Sequence, residues 1–101
     1  MATAVTDNTE EHRFEIRVDG DLAGFAVYRA RPTLIAFIHT EIDDRFEGQG
    51  LGSKLVSAAL DSARERGLAV LPFCPFVNGF IKKHPEYLDL VPEDRREAFD
   101  L

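Results

Sequence analysis

Glu47-Gly48-Gln49-Gly50-Leu51-Gly52 stands where one periodicity gives way to another. Before it, Leu34-Ile35-Ala36-Phe37-Ile38 runs on through His39-Thr40-Glu41-Ile42 as a strand whose first half is apolar on both faces. After it, Leu51, Leu55, Ala58, Ala59 and Ala63 fall at helical spacing, with Ser, Lys, Asp and Arg on the other side. Arg64 and Arg66 lie in the last turn and Gly67 stands as the C-cap, followed by the short buried strand Leu68-Ala69-Val70-Leu71. Residues 34–73 therefore read as a strand–helix–strand unit, a right-handed crossover joining parallel strands. The glycine turn then falls at the C-terminal end of its first strand, where open α/β sheets bind ligands. Glycines there let main-chain N–H groups approach a ligand closely. The first turn of a helix adds unpaired N–H groups and a positive dipole end, which together suit a phosphate.

Working outward, Phe14, Ile16 and Val18 alternate with Glu15 and Arg17 as a half-buried strand, and Asp19-Gly20-Asp21 is turn chemistry. A further strand passes through Phe25, Val27 and Tyr28 before Arg31-Pro32 breaks it, so an antiparallel meander precedes the crossover. Beyond Pro72 and Pro75, Phe76, Phe80 and Ile81 mark a second helix, stopped at His84-Pro85. The tail from Pro92 to Phe99 has the makings of a short surface helix. The fold expected is α/β: an antiparallel β-meander, a β-α-β crossover and a second helix. Residues 1–11 read as a flexible N-terminal arm and residues 12–101 as one domain.

With 101 residues the chain holds one small domain, and 45% hydrophobic residues suffice for a packed core. No apolar run is long enough to span a bilayer, and the polar N-terminus has no signal-peptide pattern, which favours the cytoplasm. Eighteen acidic against 12 basic residues give a net charge of −6. That argues against nucleic acid as a partner, which needs a basic face, and suits a cationic one. Cys74 is the single cysteine, so no internal disulfide forms, and His12, His39 and His84 lack metal-ligand spacing.

Two phosphate loops fit poorly. A Walker A loop needs Lys-Ser or Lys-Thr after its last glycine, and here Ser53-Lys54 follows Gly52. A dinucleotide fingerprint needs Gly-x-Gly-x-x-Gly, and here Gly48-x-Gly50-x-Gly52 stands instead. The stretch Ile42 to Gly52 resembles the acyl-CoA motif of the GNAT acetyltransferase superfamily: Ile42 takes the valine place, Phe46 the aromatic place, and Gly48, Gly50 and Gly52 the glycines. The whole of His39–Tyr87, with Leu71-Pro72-Phe73-Cys74-Pro75-Phe76 and His84-Pro85-Glu86-Tyr87, resembles a group of very short GNAT-like proteins that lack the N-terminal helices of longer members. Three positions depart from the superfamily pattern. Glu47 replaces Arg or Gln, Asp44 replaces a proline, and Phe80-Ile81 replaces Phe-Tyr, so the tyrosine that often protonates the CoA thiolate is missing there.

The resemblance implies acetyl-CoA as cosubstrate and an amine, peptide or protein as acceptor. It places the diphosphate on the main chain of Glu47, Gly48, Gln49, Gly50 and Gly52, and gives Ile42 N–H the thioester carbonyl. Ser53 and Lys54 are candidates for phosphate contact, and Asn78 for the pantetheine arm; each also passes as an ordinary polar surface residue. Acyl transfer further requires that the attacking group lose a proton. His39 and Glu41 lie two apart on one strand and share a face, so either is a candidate base. Cys74 ends the next parallel strand and is a candidate acyl-accepting nucleophile if His39 activates it; otherwise it is a small buried hydrophobe. Tyr87 is a candidate acid or a packing residue, and His84 a helix cap. The missing tyrosine and the small size also admit a binding module that holds acyl-CoA without transfer.

Overall fold

A computed structural model of the protein describes residues 2–101. Its centre is a five-stranded sheet with strands in chain order. The strands are β1 (Thr3–Asn8), β2 (Arg13–Val18), β3 (Asp21–Ala30), β4 (Leu34–Ile42) and β5 (Ala69–Pro72). β1 to β4 pair antiparallel, and β4 pairs parallel with β5. Helix α1 (Leu51–Glu65) makes the crossover between the parallel pair. Helix α2 (Pro75–Lys83) follows β5, and a 3-10 segment (Pro85–Leu90) and the short helix α3 (Glu93–Arg96) close the chain. This is the expected meander and crossover.

Leu51, Leu55, Val56, Ala59, Leu60 and Ala63 form the buried stripe of α1, at the 3–4-residue spacing that keeps one face on the sheet. Leu55 is fully buried, and truncating such a residue costs about 2–5 kcal/mol. The helix stops where the sequence says. Gly67 takes φ +67°, its N–H donates to Arg64 O at 3.1 Å, and Leu68 N–H donates to Ala63 O at 2.9 Å. These two bonds cap carbonyls that the helix leaves unpaired. β5 starts at Ala69 rather than Leu68, because Leu68 is spent on that cap.

The N-terminal segment corrects the expectation of a flexible arm. Thr3–Asn8 pairs with β2 along its full length as an edge strand, from Thr3 opposite Val18 to Asn8 opposite Arg13. Its side chains are mostly exposed and only Val5 packs on the core, so its hold comes from main-chain bonds that leave little hydrophobic pattern. Asp7 also accepts a 2.6 Å hydrogen bond from the Tyr28 hydroxyl.

The two sheet faces differ. Phe14, Ile16, Ala26, Tyr28 and Phe37 lie on the face that α1 covers and are buried. On the other face the register sets out two rows across β2, β3 and β4: Arg13–Val27–His39 and Glu15–Phe25–Glu41. Ile38 is an extra residue in β4, since Val27 opposes His39 and Tyr28 opposes Phe37. Such a bulge sets two residues against one and bends the strand. It leaves Ile38 40% exposed, a large apolar side chain turned to solvent.

Candidate acyl-CoA site

The turn between β4 and α1 is built from main-chain geometry. Asp43 accepts from Arg45 N–H at 2.9 Å and opens a single 3-10 turn, Asp44–Phe46. Arg45 closes back on Asp43, an ion pair that holds the Asp43 carboxyl below its usual range, first through the side-chain hydrogen bond. Gly48 and Gly50 then take φ +80° and +72°, a region L side chains rarely adopt. Gly50 caps α1 without a side-chain hydrogen bond, and the first intrahelical bond closes from Lys54 N–H to Gly50 O at 3.3 Å. The amides of Leu51, Gly52 and Ser53 therefore have no intrahelical acceptor. No acidic residue stands in this first turn. Three such amides at a helix head, with two glycines in left-handed conformation before them, fit a diphosphate.

Ile42, Glu47, Gly48, Gly50, Gly52 and Ser53 line one cleft of about 240 Å³ together with Phe46, Leu51 and Phe76. Six of the nine residues expected at the cofactor thus meet in one place, and Lys54 lines a neighbouring groove on α1 instead. Gln49 is in the turn but does not line the cleft. Glu47 lines the cleft as an exposed residue. Gly52 has a second reason to be glycine: a Cβ there would lie 2.6 Å from Phe76 Cζ. Phe76, which sequence reasoning read only as a helix marker, forms the wall of the cleft facing the helix head.

The cleft adjoins a split in the sheet. β4 and β5 pair from Leu34–Ala69 to Phe37–Pro72 and no further. Cys74 N–H donates to Phe37 O at 2.9 Å as the chain turns into α2, and beyond that bond His39–Ile42 pairs with β3 alone. Asp43 N–H donates to Ala23 O at 2.7 Å. Amides alternate along a strand, so Ile42 turns its N–H away from β3, into the split.

His39 Nε2 and Glu41 Oε1 are 3.1 Å apart on the open face, with both side chains more than half exposed. With Nε2–H donating to Glu41, the imidazole keeps Nδ1 as a proton acceptor. The His39 ring leans on Phe25 at 6.4 Å between centroids, and Arg13 covers the Phe25 ring at 4.5 Å. Arg13 is fixed in turn by Glu15, which is buried and accepts from Arg13, Arg17 and Asn8. Burial pushes the Glu15 carboxyl up, but the Arg13 and Asn8 hydrogen bonds outweigh it and the net shift is downward.

Cys74 does not meet His39. It caps α2 and is buried, and its Sγ–H donates to Thr40 Oγ1 at 3.3 Å. Thr40 opposes Ala26, on the face away from His39, so the expected His39–Cys74 activation has no geometric basis. Asn78 is also elsewhere: its Nδ2–H donates to Phe99 O at 2.8 Å and ties the C-terminal tail to α2. Tyr87 donates to Asp61 at 2.8 Å and lies 3.2 Å from Ser57, in a groove along α1. The Ser57 contact lowers its pKa, while burial and Asp61 raise it further, for a net rise. His84 caps α2, Nδ1–H donating to Phe80 O at 2.9 Å. Among the described residues no cluster of three metal-ligating side chains occurs.

Comparison with known proteins agrees with this geometry. The profile of the GCN5-related N-acetyl-transferase family matches residues 13–90. Protein NATD1 of Bos taurus is 28% identical over 89 residues, covering 84% of this chain and 79% of that protein. Protein NATD1 of Homo sapiens is 27% identical over the same length, with the same coverage. Among solved structures, a GCN5-like protein from Staphylococcus aureus superposes with a TM-score of 0.66 at 27% identity, over 88% of this chain and 87% of that one. Ard1 from Thermoplasma volcanium superposes with a TM-score of 0.52 at 30% identity, over 60% of this chain and 43% of that one. A profile match over most of the chain, on a mixed α/β fold shared with these structures, places the protein in the GCN5-related N-acetyltransferase family.

Proposed function

We propose that the protein transfers the acetyl group of acetyl-CoA to an amine. One observation carries this reading: the unpaired amides at the head of α1 share a cleft with Ile42, at the end of β4 where β5 no longer pairs with it. The acetyl-CoA thioester supplies an activated acyl carbon, and acetyltransferases of this family typically use that substrate. The amides of Leu51, Gly52 and Ser53 hold the diphosphate, and Lys54 adds a cation to the same turn. Ile42 N–H, turned into the split, donates to the acyl carbonyl and stabilises charge developing on its oxygen. His39 Nδ1 takes the proton of the attacking amine, while Glu41 holds the ring and stabilises the imidazolium; as the C–N bond forms the C–S bond breaks, and CoA leaves as a thiolate that takes its proton from solvent. The His39–Glu41 pair is open to an incoming acceptor, whereas the Cys74 thiol is buried against Thr40; we therefore assign amine deprotonation to the pair and make Cys74 a wall of the acyl slot.

Calorimetry with acetyl-CoA, followed by thiol release assayed against pooled amines and peptides, tests the proposal. Binding with acceptor-dependent thiol release is the expected result. Tight binding without release for any acceptor would instead identify a carrier or sensor of acyl-CoA, and no binding would remove both readings.

A further inference from the structure

The β4 bulge does more than bend the strand. On the open face it borders a cavity of about 430 Å³ walled by Val27, Arg29, Arg31, Ile38, His12 and Glu11. Val27 opposes His39 in the register and Ile38 is its chain neighbour, so the cavity begins where the His39–Glu41 pair ends. Its floor is apolar, and at the far end stand two guanidiniums against the single carboxylate of Glu11. Arg13, Arg17, Arg45, Arg64 and Arg66 all sit beside carboxylates. Arg29 and Arg31 are exposed and, like Arg95 and Arg96, form no ion pair with a carboxylate among the described residues. In a chain of net charge −6, two free arginines facing one apolar hollow make a local site for an anion.

We infer that this cavity is the acceptor site, and that the acceptor is a peptide amino terminus carrying a carboxylate about two residues from its amine. The inference rests on the transfer reading above. Arg29 lies two residues along β3 from Val27, about 7 Å, and Val27 lies about 5 Å across the sheet from His39. A free α-amino acid, with amine and carboxylate on one carbon, does not bridge that span. An extended peptide advances roughly 3.5 Å per residue, so an acidic side chain two residues on reaches Arg29 and Arg31 while the amine stays at His39. The first residue's side chain, on the same face of the extended peptide as the acid, rests on Val27 and Ile38, which explains an isoleucine left facing water.

The test compares two synthetic acceptors, Ala-Leu-Asp-Gly-amide and Ala-Leu-Asn-Gly-amide, which differ by one carboxylate. The expected kcat/KM favours the aspartate peptide by about tenfold. In the double variant Arg29→Gln, Arg31→Gln that preference falls to near unity while acetyl-CoA affinity is unchanged, because both residues are exposed and remote from the glycine turn. Equal kcat/KM for the two peptides in the natural protein, or a preference that survives the double variant, overturns the inference and leaves acetyl transfer standing. If neither peptide is acetylated, titration of the isotope-labelled protein decides by binding alone. Amide shifts centred on residues 27–31 and 38–39 with the aspartate peptide only are expected; no shifts with either peptide overturn the site independently of the transfer reading.

Discussion

The amide of Cys74 donates to the carbonyl of Phe37 at 2.9 Å, and this bond is the point at which the parallel pair of strands parts. Upstream, β4 has neighbours on both sides; downstream, it has β3 only. The site follows from that asymmetry, because a strand that loses one partner offers its main chain to a ligand.

The bond uses the backbone of Cys74, so the thiol is dispensable to it. Cys74→Ala should keep thiol release within about threefold of the natural protein and cost about 1 kcal/mol in urea unfolding through lost packing. A covalent acetyl adduct at this position, with turnover abolished in the alanine variant, would move the chemistry from the His39–Glu41 pair to Cys74.

The pair itself is tested by His39→Gln. Removing a positioned base lowers kcat by about 10²–10⁴-fold while the acetyl-CoA dissociation constant stays put, since the ring lies outside the glycine cleft. An unchanged kcat removes His39 from the mechanism.

Gly52 and Phe76 are coupled by contact. A methyl group at Gly52 meets the tip of the exposed Phe76 ring at 2.6 Å, so Gly52→Ala swings that ring aside at a cost of about 1 kcal/mol or less. In the background of Phe76→Ala the same substitution should be nearly neutral. Additive losses in the double-variant cycle would show that the two residues do not touch.

Tyr28 should report on β1. Burial, with the Asp7 hydrogen bond second, pushes its phenol up to about 12. A raised pKa stabilises the fold fully below the ordinary value of about 10 and loses that contribution as pH climbs to about 12. Melting temperature should therefore fall across pH 10–12, and fall less in Tyr28→Phe, where Tyr87 is the one tyrosine left. A slope identical in both proteins would contradict the Tyr28–Asp7 contact.

Much of this architecture was written in side-chain periodicity. The change from strand to helix spacing around Gly48–Gly52, the cap at Gly67 and the shared face of His39 and Glu41 all follow from local rules, and the structure keeps them. β1 was not legible, because Thr3–Asn8 carries a single core residue and its pairing is a main-chain matter. Asn78 carried no signal of its partner, since the Phe99 carbonyl is brought to it by the tail. The separation of Cys74 from His39 depends on the Ile38 bulge and on the turn after Pro72, and neither leaves a mark in composition. In the sequence Arg31 marks only the break at Arg31-Pro32 and Arg29 carries no signal, because the hollow beside them depends on the bulge.

The most direct measurement is an acetyl-CoA titration of the isotope-labelled protein. The account predicts one-to-one binding, with the largest amide shifts at Ile42 and from Gly48 to Ser53, and smaller ones at Phe76. Binding centred anywhere else, or no binding, would contradict it.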